Sequence, residues 1–126
     1  MVKAQLELLN KAGSQRMLTQ KLVKLLMMKK FNVGEVEKVD EEIKESISDF
    51  EVTLEFLFKF KQKNQAIEEQ LKKVEQVWER FLHSVSQEEL DKMLEINGEV
   101  LIEMEKAVSL YEELFRFQRI TNAYAG

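Results

Sequence analysis

The chain has 126 residues, 44% apolar and 33% charged, a length that makes one domain able to bury roughly two-thirds of its unfolded surface, so disorder and a membrane-embedded body are both excluded. Net charge is -4, with 19 basic against 23 acidic residues and no basic block, which argues against a nucleic-acid partner. Cysteine and proline are absent and glycine occurs only four times, which removes disulfides, thiolate metal sites and most of the punctuation of an all-β fold.

Apolar residues recur at alternating steps of three and four, the signature of amphipathic helices. The first helix is expected over about 3–31. Its seam runs through Leu6, Leu9, Gly13, Arg16, Gln20, Val23 and Met27, and a second stripe through Leu8, Ala12, Leu22 and Leu26 widens the apolar face. Asn32-Val33-Gly34 reads as a turn, and Lys29 and Lys30 suit the negative end of a helix. The second helix spans about 35–61, with Glu35 and Glu37 in its first turn and a seam of Val36, Val39, Ile43, Ile47, Phe50, Leu54 and Leu57, then Phe58 or Phe60. The polar run Lys61-Gln62-Lys63-Asn64-Gln65 breaks the seam, although one long helix over 35–85 is also compatible with the pattern.

The third helix, about 65–85, carries Ile67, Leu71, Val74, Trp78, Phe81 and Val85. Ser86 and Glu89 have the spacing of a capping box that opens a fourth helix over about 87–122, with Leu90, Leu94, Asn97, Leu101, Met104, Val108, Tyr111 and Phe115 on its seam. Four long helices with short connections predict an all-α, antiparallel up-down-up-down bundle. No apolar run reaches the roughly eighteen residues that span a bilayer, and Met1 to Gln5 has no hydrophobic core of a leader. Helical pattern nevertheless runs almost to both chain ends. That fits either fraying terminal turns or a domain set between transmembrane helices in a longer protein.

No catalytic set, metal site or cofactor is expected. The one histidine, His83, follows Glu79 by four residues rather than the three of a di-iron helix, and no second histidine exists to complete a metal site. The six serines would share that histidine as base, and no glycine-rich phosphate loop is present. The carboxylates alternate with lysines at helical spacing and read as a solvated face.

Arg16 is the anomaly. It occupies a seam position where an apolar residue is expected, one turn from Gly13, which costs about 1 kcal/mol against alanine in a helix interior. A buried guanidinium requires an acidic residue, carbonyls or an anion. Two readings follow. Arg16 either reaches the rim or pairs with a carboxylate of a neighbouring helix, or two first helices pack face to face and two Arg16 side chains clamp a small planar anion with their planar donor forks. Lys21, five residues on, points about 140° away and is no partner within the chain. Asn97, beside Gly98, reads as a satisfied core amide.

The segment from Asn10 to Lys21, with Ala12-Gly13, Gln15-Arg16-Met17-Leu18-Thr19-Gln20, closely resembles the opening helix of PilJ-type sensor domains, whose pattern there is Asn-x-Ala-Gly-x-Gln-Arg-Met-Leu-Ser/Thr-Gln-Arg. Val77 to Phe81 and Asn97 to Tyr111 carry weaker features of the last two helices. The Ala-Gly-x-x-Arg-Met core is also similar to the input domain of the NarX/NarQ nitrate and nitrite sensor kinases. The resemblance implies a periplasmic or otherwise extracytoplasmic four-helix sensor domain of an inner-membrane receptor, dimeric through its first helix. Nitrate or nitrite would be held on the dimer axis by Arg16, with Gly13 as the close-approach position and Asn10, Gln15, Met17 and Gln20 as flanking contacts. One departure stands out: the family's second arginine is Lys21 here, which keeps the charge and loses the fork. A module of the same family that senses by protein contact or by another small molecule, with no anion site, remains the second expectation.

Overall fold

The computed structural model describes the backbone of residues 2–60 and 63–125 and the side chains of residues 3–60 and 63–119. Four helices occur in order, α1 (Val2–Lys30), α2 (Val36–Lys59), α3 (Gln65–Ser86) and α4 (Leu90–Ala125), with no strand among the described residues. Cross-helix pairs give their directions. Along α1 and α2 the partners run oppositely, Gln15 with Phe50 and Lys29 with Asp40. Along α1 and α4 they do the same, Gln5 with Gln118 and Thr19 with Asn97. The chain is therefore the antiparallel all-α bundle that the periodicity predicts.

Turn chemistry explains where the helices stop. At the end of α1, Val33 N–H donates to the Met28 carbonyl and Asn32 N–H to that of Lys29, with Asn32 left-handed at φ 55°. The end of α3 repeats the pattern: Glu89 N–H donates to Ser84, Glu88 N–H to Val85, and Glu88 has φ 55°. Both are Schellman motifs, in which a left-handed residue folds the chain back onto the last carbonyls. The expected capping box is corrected here. Ser86 is still helical and its hydroxyl donates to the His83 carbonyl, because the Schellman turn carries the chain three residues further before α4 begins. Between α2 and α3 the chain does break, so one continuous helix is excluded. Phe60 is extended, Lys63 Nζ donates to the carbonyls of Phe58 and Phe60, and Asn64 Oδ1 caps α3 by accepting from Ile67 N–H. Lys61 and Gln62, part of the connection expected there, lie outside the described residues.

The core confirms the α3 seam, with Ile67, Leu71, Val74, Trp78 and Phe81 all buried, and most of the α2 seam. Stacked rings fill the space between α2 and α3: Phe50 against Trp78 at 3.9 Å between centroids and Trp78 against Phe81 at 5.3 Å. Such bulk holds these two backbones apart, and they adjoin only lightly, whereas α1 lies along both α2 and α4.

The seam assigned to α1 is overturned. Leu8, Ala12, Leu22 and Leu26, the second stripe, form the buried face, joined by Leu25, Gln15 and Thr19. Leu6 and Met27 of the first seam are 56% and 40% exposed, and Gly13, Arg16 and Gln20 also face outward. Two polar residues on the inner line hid it. Each donates to a carbonyl: Gln15 Nε2 to Phe50 O at 3.0 Å and the Thr19 hydroxyl to Arg16 O at 2.7 Å.

Tyr111 ties α4 to α2 across the core, its hydroxyl donating to Leu57 O at 3.2 Å. Burial first, and the nearby Glu68 carboxylate second, push its ionisation far above the ordinary tyrosine value. A folded pKa raised above the unfolded one gives stability that is intact below about pH 10 and is lost as pH climbs past it, because only the unfolded chain then releases its proton. Tyr111→Phe should lower stability by about 1 kcal/mol at neutral pH. It should also flatten the loss above pH 10, both read from urea melts across pH. Glu88→Gly should act oppositely. Relief of the left-handed strain outweighs the added unfolded-state freedom, for a net gain of roughly 0.5–1 kcal/mol in the same assay.

Candidate functional site: the outer face of helix one

Rotation of α1 with Gln15 inward turns a different line outward. Leu6, Asn10, Gly13, Met17, Gln20, Lys24, Met27 and Phe31 follow one another by steps of four and three, and every one of them is exposed. That spacing keeps them on one face of the helix, with Asn10, Gln20 and Lys24 among the apolar positions. Met17 and Phe31 are 71% and 62% exposed, and Val52 and Phe117 elsewhere on the surface are comparably exposed. Near the middle sits Gly13, where an added Cβ would meet nothing within 4 Å. Nothing inside the chain therefore requires glycine at this position.

Of the residues the sequence points to, Asn10, Gly13, Met17 and Gln20 lie on this line, and Arg16 flanks it by about 60° of helix rotation. Gln15 does not. It is fully buried on the opposite side of α1, donates to the Phe50 carbonyl, and leaves its own Oε1 without a hydrogen-bond partner. Lys21 is exposed and shares no contact with Arg16 among the described residues, in keeping with its offset.

Arg16 is 57% exposed at its side chain and forms an ion pair with Glu105 of α4. Within the chain this realises the first of the two sequence readings, pairing with a neighbouring carboxylate. The groove between α1 and α4 beside it has a cavity of about 370 Å³, and its lining includes Gly13, Arg16, Glu105 and Glu112. One guanidinium faces two carboxylates there, so the groove of a single chain is not by itself an anion pocket. Asn97 is buried close by and donates to the Thr19 carbonyl at 3.1 Å, as a satisfied core amide should. Glu105 was not legible as a partner, since the pairing depends on how α1 and α4 are rotated.

The four helices define an all-helical module. Residues 3–97, three-quarters of the chain, match the PilJ family model, described as the type IV pili methyl-accepting chemotaxis transducer N-terminal region. The chain belongs to the PilJ family. No curated protein and no solved structure matches it. Among the described residues no helix is long and apolar enough to cross a membrane.

Gly13→Ala tests whether glycine serves the chain itself. At concentrations too low for association, alanine should raise stability by about 1 kcal/mol, as expected for an exposed helix interior with open space around the new methyl. A loss of stability would mean that the fold needs this glycine.

Proposed function

We propose that this chain is the extracytoplasmic sensor domain of a bacterial signal-transduction receptor, set between transmembrane helices of the full-length protein. It dimerises through the outward line of α1 and binds a small anion, nitrate or nitrite being favoured, at the dimer interface. The observation that carries the reading is Gly13 on a fully exposed heptad line, one turn from Arg16. Glycine there allows two α1 backbones to approach closely, and two guanidinium groups then flank the axis. Two like charges so placed repel unless a planar anion accepts from both forks. Occupancy thereby shifts the helix–helix arrangement, which any sensor requires. The domain works by binding, with no catalytic step assigned to it.

A second reading is favoured by a specific contact. Because Glu105 already neutralises Arg16, the arginine can serve the α1–α4 joint alone. The family module would then sense by protein contact or through another small molecule.

Thermal unfolding in nitrate and nitrite, with sedimentation to read the assembly, separates the two. Under the first reading millimolar nitrate raises the melting temperature and favours the dimer; at 100 times its dissociation constant the gain is about 2.7 kcal/mol. Arg16→Ala abolishes the response. Glu105→Gln, which frees the guanidinium, strengthens it. If neither the parent chain nor Glu105→Gln responds to either anion, the second reading stands.

A further inference from the structure

At the end of the bundle that carries the α1–α2 and α3–α4 turns, all four helices surround a cavity of about 260 Å³. That is the volume of roughly nine water molecules, which fits a ligand of about as many non-hydrogen atoms. Its wall is apolar: Leu26 from α1, Ile43 from α2, Val85 from α3, and Leu90 with Met93 from α4. Its rim is charged, with Lys29, Lys30 and Glu88. Lys29 is held by Asp40 at 3.0 Å. Lys30 and Glu88 have no ion-pair partner among the described residues, and they do not pair with each other although they share one rim.

A further feature points the same way. Glu88 holds the left-handed position of its Schellman turn, where the equivalent residue of the α1 turn is Asn32, a type that accepts this conformation readily. A glutamate kept at a strained position on a cavity rim is the pattern of a side chain retained for contact.

An apolar pocket with a lone cation would select a fatty or aromatic acid. One free cation and one free carboxylate select a molecule that carries both complementary charges next to an apolar tail. The geometry points to a binding site for a free α-amino acid with an aliphatic side chain. Its carboxylate meets Lys30, its ammonium meets Glu88, and its side chain lies against Leu26, Ile43 and Met93. The site is at the opposite end of α1 from Leu6 and does not involve Arg16, so it stands whether or not the anion reading does.

Calorimetry and thermal shift on the full chain test it with L-leucine, 4-methylpentanoate, 3-methylbutylamine and glycine as probes. L-Leucine should bind and raise the melting temperature. Each of the other three lacks one of the required parts and should bind at least tenfold more weakly. Lys30→Ala and Glu88→Gly should each weaken L-leucine binding by tenfold or more, and Glu88→Gly keeps the fold intact because it relieves its turn. Arg16→Ala should leave the affinity unchanged. The site is overturned by no response to millimolar L-leucine, by equal binding of 4-methylpentanoate, or by unaltered affinity in both rim variants.

Discussion

Gln15 lies on the buried side of α1 and donates its side-chain amide to the Phe50 carbonyl of α2, and the rotation of the whole first helix follows from that placement. Hydrophobicity alone does not choose a face for α1. Leu6, Leu9, Val23 and Met27 line one side and Leu8, Ala12, Leu22 and Leu26 line another, and either could be buried. What separates them is polar. With Gln15 inward and Thr19 one turn later, α4 can reach the Thr19 carbonyl with Asn97. Turned the other way, the helix would bury the Arg16 charge and leave the core amide of Asn97 without its carbonyl partner, at a cost of about 1–3 kcal/mol for that amide. Even as it stands the arrangement is not free of cost, since Gln15 Oε1 and the Ser46 hydroxyl are buried without partners.

The same device recurs between other helices. Gln70 of α3 donates to both the carbonyl and the carboxylate of Glu103, and that bond, with help from Lys106, holds the Glu103 carboxyl below its ordinary pKa. Tyr111 reaches Leu57 O on the diagonal. Apolar contacts tolerate small slides and rotations, whereas a donor aimed at one carbonyl selects a single register. Each helix is therefore indexed against at least one neighbour. The outward line of α1 has a defined orientation because the inward one does.

Legibility in the sequence follows the same division. The α3 face was readable because its inward line from Ile67 to Phe81 is apolar, with buried Gln70 and Ser84 beside it, and the four helices were readable because their periodicity is long. On α1 the inner line contains Gln15 and Thr19, so a reading by hydrophobicity moved to the wrong stripe while still finding the odd residues, Gly13 and Arg16. Those two looked misplaced in a core and are well placed on a surface. Ser86 and Glu89 have the spacing of a capping box, but spacing does not reveal that Glu88 takes a left-handed turn first. The Arg16–Glu105 pair joins residues 89 apart in the chain, and nothing local predicts it.

That pair also sets the terms on which α1 could transmit anything to α4. Arg16 and Glu105 are each about half exposed, so their attraction is weakened by solvent and is worth little to the fold. A contact of low worth is easily exchanged. A ligand or partner that engages Arg16 leaves Glu105 with an uncompensated charge on α4, beside Glu112 in the same groove. The Asn97–Thr19 bond, buried a turn away, is far less open to such competition, because breaking it strands two polar groups in the core. The joint between α1 and α4 thus combines a rigid inner pin with an outer ion pair that yields. An event on the outer face of α1 would be felt by α4 as a change in electrostatics about a fixed register, rather than as unfolding or slippage of the bundle.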